Sequence, residues 1–188
     1  MPNPRTDQQR DIPVETEKKL DDLHDLIEGT EVAMMTTRRA DGSLVARPMK
    51  TQARDAFADL WFVTNIETHK LDELARDPHV NLAYYHPKSK EWVSASGTVR
   101  VSQDRALIGR LHNRSWKPWF PDEGEGRDGG LDDPRIAVLS VDTHSVMYMK
   151  VDKPKPVVLY ELAKGVVTGK KPDVGEPKEL SDRDLGTR

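Results

Sequence analysis

The sequence predicts a mainly β fold, an antiparallel β-barrel with a few peripheral helices. The chain has many short runs rich in β-branched and aromatic residues, most of them joined by hairpin-type turns, with three modest helical segments and no internal repeat. An antiparallel barrel suits such a chain, because each strand pairs with a neighbour and the sheet covers its own edges. An α+β sandwich is the alternative.

The first part of the chain predicts an opening helix, a hairpin and a third strand. Leucine and isoleucine recur at helical spacing over residues 14–28. Residues 32–37 and 44–49 flank an Asp-Gly pair, which is a strong hairpin signal. Residues 59–64 are the third strand, since aromatic and β-branched side chains favour a pleated, half-buried surface.

The rest of the chain mixes short helices with further strands. A helix over residues 71–75 has to end before Pro78, because the residue that precedes a proline disfavours helical geometry. A second helix is predicted over residues 104–113, and a loop of proline, glycine and acidic residues follows over 118–134. The predicted strands of this part are 80–85, 92–99, 136–141, 145–150 and 157–162.

Length and apolar pattern predict one cytoplasmic domain with flexible ends. The 188 residues fit a single domain over residues 14–168, between polar tails at 1–13 and 169–188. The longest apolar runs are strand-sized and far shorter than the ~20 residues that span a membrane. The first residues also lack the apolar core of a secretion signal. A cytoplasmic protein without a membrane partner is therefore expected.

Composition excludes several classes of function. The chain has no cysteine, which removes disulfides, thiolate nucleophiles, cysteine-bound zinc and iron–sulfur clusters. The six histidines show no metal-binding spacing, so no metal site is expected. The net charge of −3 gives no general attraction to nucleic acid, which is not expected as a partner.

The start of the helix near residue 70 is a candidate anion site. Thr68 can cap this helix, whose first backbone N–H groups point outward, and His69 and Lys70 place positive charge beside them. A phosphate group fits such a position. A capping threonine followed by two solvated side chains is the alternative.

A second candidate lies in the second strand, at Arg47, Pro48 and Met49. Proline removes a donor from the strand ladder, which marks an edge or a surface that faces something other than a strand. Arg47 stands in an otherwise apolar strand and needs a carboxylate or phosphate partner. A structural salt bridge, or a position at the barrel rim, is the alternative for Arg47.

The order of these motifs resembles a known family. The Asp-Gly turn, Arg47-Pro48-Met49 and the run from Leu60 to Lys70 are arranged as in the flavin-binding split barrels of the pyridoxamine 5′-phosphate oxidase-like superfamily. Within it the chain looks most like the bacterial general stress proteins, through a tryptophan-rich turn at 116–121 and the Leu-Asp-Asp-Pro loop at 131–134. The resemblance implies an antiparallel six-stranded split β-barrel of the FMN-binding type.

The resemblance assigns roles to the candidate residues. It implies that Arg47 and Lys70 bind the flavin phosphate, with His69 where the oxidases have arginine. It also implies that the Thr64 hydroxyl meets the flavin and that the backbone after Arg47 follows the isoalloxazine edge. Because histidine cannot form the two-pronged contact of arginine, phosphate affinity should be lower or pH dependent. The expected cofactor-binding residues are Arg47, Pro48, Met49, Val63, Thr64, Thr68, His69, Lys70, Trp116 and Trp119.

The resemblance also implies a homodimer with a flavin at the subunit interface. Trp116 and Trp119 would cover the cofactor of the other subunit, because large aromatic side chains are enriched at interfaces and in ligand pockets. A packing role for at least one of the two tryptophans is the alternative.

The implied function is FMN binding, and the expected activity is a flavin-dependent oxidoreductase with an unknown small-molecule substrate and no assigned catalytic residue. The alternatives are a non-catalytic, flavin-sequestering stress protein and a barrel that holds FAD, deazaflavin or haem. Vitamin B6 synthesis is not expected. The true oxidases end in a tryptophan and an Arg-Leu-x-Pro segment, and residues 180–188 contain neither.

Overall fold

The computed structural model describes residues 16–52, 60–151 and 153–185. Its strands are β1 (Val32–Arg38), β2 (Leu44–Lys50), β3 (Leu60–Asn65), β4 (His79–Tyr85), β5 (Trp92–Ser102), β6 (Ile136–Met149) and β7 (Lys178–Ser181). Its helices are α1 (Thr16–Thr30), α2 (His69–Arg76), α3 (Arg105–Leu111), α4 (Lys155–Thr168) and α5 (Asp182–Leu185), with a 3₁₀ helix at Arg114–Trp119. The predicted N-terminal tail, residues 1–13, lies outside the described residues.

The strands form one antiparallel sheet that curves into a split barrel. The order along the sheet is β2-β1-β4-β5-β6-β3, and β7 pairs with β6 away from this path. The end strands β2 and β3 approach each other where the Gln52 N–H donates to the carbonyl oxygen of Trp61 at 2.8 Å, but the described residues form no ladder between them. The predicted fold class is confirmed, with seven strands in place of six because the C-terminal region adds β7.

Alternating side chains fill the interior of the barrel. In β3, Leu60, Phe62 and Thr64 are buried, whereas Trp61 and Val63 lie on the other face and are half-buried. The apolar face of α1 belongs to the same interior core. Each fully buried leucine or phenylalanine contributes roughly 1.5–3 kcal/mol, so this core dominates the stability of the barrel.

A second apolar cluster lies on the outer face of β3 and β6. Its buried members are Ile108, Trp116, Phe120, Ile136 and Val138. Trp61 and Val63 pack against it from β3. The cluster therefore fixes α3 and the 3₁₀ helix to the wall of the barrel.

Strand β6 is continuous where the sequence predicts two strands. Ser96 pairs with Ser145 and the neighbouring Gly97 pairs with Thr143, so that His144 is an extra residue on β6. Such a β-bulge bends a strand without ending it. The polar middle of β6 is therefore a bend inside one strand and not a turn between two.

Residues 157–162 belong to α4, and the prediction of a strand there is wrong. Pro156 lies in the first turn of α4, where its missing N–H costs nothing and its fixed φ suits a helix. Leu159 and Leu162 are good helix formers. The two adjacent valines favour a strand on local propensity alone, which the surrounding residues override.

The C-terminal region is partly built into the barrel. Residues 178–181 pair with β6, Leu180 is fully buried, and Leu185 of α5 is also buried. These two leucines stand among many charged residues, so the sequence shows no apolar pattern that would predict a strand or helix here. The prediction of a flexible tail over 169–188 is therefore wrong for residues 178–185.

Candidate functional site

The candidate residues converge where β2, β3 and α2 meet. Strand β2 directs Arg47 and Met49 inward, and β3 directs Thr64 inward, because every second side chain of a strand faces the same side. Helix α2 carries Lys70 in its first turn. A single tight turn connects β3 to α2, so the inward residues of both elements lie close together.

Lys70 is a buried ammonium group at the centre of this junction. Lys70 is only 9% exposed. Its Nζ donates to Thr64 Oγ1 at 2.8 Å and lies 3.3 Å from Met49 Sδ. Burial, together with the charge of Arg47, lowers the pKa of Lys70 to about 8, while Glu73 acts in the opposite direction. A hydroxyl and a thioether are weak partners for a cation, so a bound anion beside Nζ would be strongly stabilised.

Arg47 makes a two-pronged ion pair with Glu73 of α2. Nη1 donates to Glu73 Oε2 at 2.8 Å and Nη2 donates to Glu73 Oε1 at 2.9 Å. Thr37 completes the group, since its hydroxyl accepts from Arg47 Nη1 at 2.9 Å and donates to Glu73 Oε2 at 2.6 Å. The Arg47 guanidinium lowers the pKa of Glu73 to about 2. Arg47 therefore braces β2 against α2, as the salt-bridge alternative predicts.

The first turn of α2 has no side-chain cap. Thr68 occupies the N-cap position, but its hydroxyl donates to the carbonyl oxygen of Asn65 at 2.8 Å, so the predicted capping role of Thr68 is wrong. The backbone N–H groups of His69 and Lys70 find no acceptor among the described residues. Uncapped N–H groups at a helix N-terminus attract anions.

An open groove of about 490 Å³ runs beside α2 and the turn between β1 and β2. It is lined by Arg39, Ala40, Asp41, Arg47, His69, Asp72, Glu73 and Arg76. Three arginines balance three acidic residues, so the groove carries no net charge when its histidine is neutral. The His69 side chain is 97% exposed and lies 3.9 Å from Asp72, so it stands in solvent at the mouth of the groove.

The remaining predicted residues lie around this junction at different depths. Pro48 is exposed on the outer face of β2, and Val63 packs against the second apolar cluster. Trp116 is buried in that cluster and donates its Nε1–H to Gln52 Oε1 at 2.9 Å, whereas Trp119 is 78% exposed. Trp116 therefore has a packing role, and Trp119 is the one of the two that offers an open ring surface.

The sequence patterns do not reveal Glu73 and Thr37. A signal for Glu73 exists, because it shares the buried face of α2 with Lys70 and Leu74, and a buried carboxylate requires a cation. The lone arginine of an apolar strand, Arg47, is the complementary group. No signal marks Thr37, whose position depends on the register of β1 against β2.

Within residues 16–52, 60–151 and 153–185, no cluster of three or more His, Asp or Glu side chains could hold a metal ion. None of the helices in the same ranges has the length and apolarity needed to cross a membrane.

Fold and site together define a class of protein, an antiparallel split barrel in which two end strands and an uncapped helix N-terminus surround a buried lysine. The chain belongs to the pyridoxamine 5′-phosphate oxidase-like family, whose model matches residues 18–173. The match extends from α1 to the segment after α4 and includes the whole junction. The resemblance found in the sequence is confirmed.

The chain is also similar to individual known proteins. The chain is similar to protein bli-3 of Neurospora crassa, with 34% identity over 178 residues that cover 93% of this chain and 85% of that protein. Its fold is similar to that of a Clostridium acetobutylicum protein related to general stress protein 26 of B. subtilis, with 17% identity, a TM-score of 0.66 and coverage of 90% and 98%. It is also similar to the general stress FMN/FAD binding protein of Xanthomonas citri, with 26% identity, a TM-score of 0.54 and coverage of 67% and 84%.

Proposed function

We propose that this protein binds FMN at the junction of β2, β3 and α2 and acts as a flavin-dependent oxidoreductase on a small molecule. The observation that carries the proposal is the buried ammonium of Lys70 beside the uncapped first turn of α2. No described carboxylate accepts a hydrogen bond from Lys70 Nζ. A phosphate monoester would satisfy the ammonium and the backbone donors together, and the flavin-binding relative from Xanthomonas citri supports a flavin as its carrier.

A buried ammonium group and uncapped backbone donors are the kinds of group that bind a flavin phosphate. Lys70 Nζ and the N–H groups of His69 and Lys70 would hold the phosphate, and the His69 ring would add a donor when protonated. Thr64 and the backbone after Arg47 would meet the ring system, as the family resemblance implies. Arg47 would stay paired with Glu73 and hold β2 against α2 beside the ligand.

The contribution of this chain to redox chemistry would be electrostatic. A bound flavin supplies hydride transfer at its N5 atom. The ammonium of Lys70, which donates to no described carboxylate, would favour the anionic reduced form of the flavin. Glu73 is held by Arg47 and Thr37, so it is not available as a general acid or base, and the proposal assigns no catalytic residue.

The proposal includes a homodimer with the flavin at the subunit interface. On the outer face of the sheet, Met34 of β1 pairs with Pro48 of β2 and with Ala83 of β4, and Ser94 of β5 separates this row from Met147 of β6. Met34 is 42% exposed and Met147 is 44% exposed. Large apolar side chains that share one exposed surface are typical of interfaces. A cytoplasmic location stays a prediction from the sequence.

Titration of the full chain with FMN and with riboflavin tests the phosphate site. We expect FMN to bind at least about tenfold more tightly than riboflavin, because only FMN brings the anion that Lys70 lacks. Lys70→Met should remove most of this difference. Lys18→Met, which changes an exposed lysine of α1, is the matched control and should bind FMN like the wild type. Absence of FMN binding by the wild type, or full FMN affinity in Lys70→Met, would refute the proposal.

Reduction kinetics separate the oxidoreductase from the flavin-sequestering alternative. The protein with bound FMN is mixed with NADH or NADPH without oxygen, and the flavin absorbance is followed. Reduction faster than that of free FMN supports an enzyme. Reduction no faster than that of free FMN supports sequestration, with Trp119 as the exposed ring that could cover the flavin.

A further inference from the structure

The loop between the 3₁₀ helix and β6 is tied to the turn that leads into α2. Arg127 Nη2 donates to both carboxylate oxygens of Glu67, each at 2.9 Å. The Ile66 N–H donates to the carbonyl oxygen of Arg135 at 2.9 Å. Ile66 and Glu67 lie directly before the uncapped first turn of α2. The loop therefore contacts the backbone that presents the proposed phosphate site.

Arg127 is held from the other side by a series of alternating charges. Its Nε donates to Glu123 Oε2 at 2.9 Å, and Glu123 Oε1 lies 3.0 Å from Arg135 Nη1. Arg135 is only 1% exposed, and it donates to the buried Asp133 from Nε at 3.1 Å and from Nη2 at 2.7 Å. This ionic chain, defined as Asp133, Arg135, Glu123, Arg127 and Glu67, runs from a buried anchor to the turn before α2.

The backbone around Arg127 is fixed before its side chain reaches Glu67. The Glu123 N–H donates to the carbonyl oxygen of Arg127 at 2.8 Å, and the Arg127 N–H donates to that of Gly124 at 2.9 Å. Gly124 and Gly126 both have φ of +79°, a conformation that other residues rarely adopt. The loop is thus a closed turn that presents the guanidinium in one direction.

We infer that Arg127 is a positioning residue for the phosphate end of the ligand site. Through Glu67 it holds the turn at residues 65–68, and with it the direction of the first N–H groups of α2. The inference rests on the proposed function and deepens it, because it concerns only ligands whose anionic group sits at α2. The described contacts of the Arg127 guanidinium are to Glu67 and Glu123. Binding of the flavin ring system should therefore not depend on Arg127.

Replacing Arg127 should lower the affinity for a phosphate-bearing ligand more than it lowers the free energy of unfolding. The Glu67 side chain is 51% exposed, and a half-exposed ion pair contributes little to folding. Charge-assisted hydrogen bonds weaken when their donors move by a fraction of an ångström, because their strength depends on distance and angle. A loosened turn would therefore weaken phosphate binding while the barrel stays folded.

A double-mutant cycle on FMN affinity tests the inference. We expect Arg127→Met and Glu67→Gln each to lower FMN affinity by about three- to tenfold, and the double variant to be no weaker than the weaker single variant, because both remove the same contact. Riboflavin affinity should change by less than about twofold, since riboflavin lacks the phosphate. Arg100→Met, which breaks the exposed ion pair with Asp142 between β5 and β6, is the matched control and should bind FMN normally.

Two results would overturn the inference. Equal losses of FMN and riboflavin affinity in Arg127→Met would show a general structural role, and unchanged FMN affinity would show no role. Amide hydrogen exchange of Ile66 in the protein without ligand gives an independent readout, with exchange expected to be at least about fivefold faster in Arg127→Met than in Arg100→Met. If the wild type fails to bind FMN, the proposed function fails, and unchanged Ile66 exchange then overturns the positioning role on its own.

Discussion

The buried ammonium of Lys70 should destabilise the folded protein at neutral pH and give its stability a defined pH dependence. The folded pKa of about 8 lies below the ordinary value of 10.5, so the unfolded chain binds more protons between these values. Stability should therefore rise as the pH increases from about 8 to 10.5. We expect Lys70→Met to be about 1–3 kcal/mol more stable than the wild type at pH 7 and to lose this advantage above pH 10.5.

Urea unfolding of both proteins at several pH values between 7 and 10.5 measures this effect. Lys18→Met should show no comparable gain, because that lysine is exposed. A Lys70→Met variant that is less stable than the wild type at pH 7 would mean that the ammonium is better compensated than its contacts with Thr64 and Met49 indicate.

Glu73 should give stability a pH dependence of the same sign, but in the acid range. Its pKa of about 2 lies below the ordinary value of 4.5, so its contribution is complete above pH 4.5 and is lost as the pH falls toward 2. Glu73→Gln should lose about 2–4 kcal/mol at pH 7, because Arg47 is left without its anion. As the pH falls from 4.5 to 2, the stability of Glu73→Gln should decrease by less than that of the wild type, because the variant has no carboxylate to protonate at this position.

Urea unfolding across the acid range checks the Glu73 prediction. Asp72→Asn, one residue away on α2, is the matched control, since Asp72 is 83% exposed and the change should stay within about 0.5 kcal/mol. Equal stability losses in the two variants would contradict the role given to the Arg47 ion pair.

Single residues show what a sequence can and cannot reveal about this site. Lys70 is recognisable because it follows a helix start and stands near other cations, and the structure places it at the junction. Glu73 is marked only by its place on the buried face of α2, and its pairing with Arg47, 26 residues away, forms only after β2 and α2 have packed. The lack of a cap at Thr68 depends on one hydroxyl orientation, which no local pattern determines.

At the scale of elements, the bulge in β5 and β6 depends on the glycine at position 97. A Cβ on Gly97 would lie 2.2 Å from the backbone oxygen of Asp142, and backbone cannot move aside cheaply. Gly97→Ala should therefore destabilise the protein by at least about 2 kcal/mol. Gly109→Ala in α3 is the matched control, because a Cβ there meets nothing within 4 Å and the change should add about 0.5–1 kcal/mol.

Thermal unfolding of the two alanine variants distinguishes the bulge from a general effect of removing glycine. The expected shifts in midpoint temperature have opposite signs. A Gly97→Ala variant as stable as the wild type would mean that β5 and β6 can separate at the bulge without loss of pairing.

The elements that the sequence predicts correctly are those with a strong local signal. The first hairpin has an Asp-Gly turn between alternating strands, and β1 and β2 form it. Strand β7 has no local signal, because its one fully buried side chain, Leu180, stands among charged residues and its pairing partner is supplied by β6. Helix α4 has a misleading signal, because its adjacent valines suggest a strand, whereas the proline before them favours the first turn of a helix.

At the scale of the whole molecule, the proposed dimer predicts a molecular mass in solution and a surface substitution that should dissociate it. Light scattering at several concentrations should give twice the 21.3 kDa of one chain. Met34→Lys, on the outer face of the sheet, should shift the protein toward one chain per particle, because a charge would be buried in the interface. Lys18→Glu on α1 should leave the mass unchanged. A wild-type mass of 21.3 kDa at all concentrations would contradict the dimer.

The overall architecture follows from patterns spread over the whole chain, and the site does not. Many alternating strands can only cover their edges in a closed or nearly closed sheet, so the split barrel is predictable. The junction of β2, β3 and α2 combines residues that are separated by up to 26 positions, and their contacts depend on strand register and helix placement. The order of the sequence motifs points to the junction, whereas its ion pairs depend on the packed fold.

The 3₁₀ helix gives this protein two spectroscopic probes in one short segment. Trp116 is 2% exposed with its indole N–H bonded to Gln52, and Trp119, three residues later, is 78% exposed. Indole emission shifts to longer wavelength in water, so Trp116 reports on the wall of the barrel and Trp119 reports on the surface. A water-soluble quencher such as iodide reaches Trp119 first, and any molecule that covers this ring shields it while the emission of Trp116 stays unchanged.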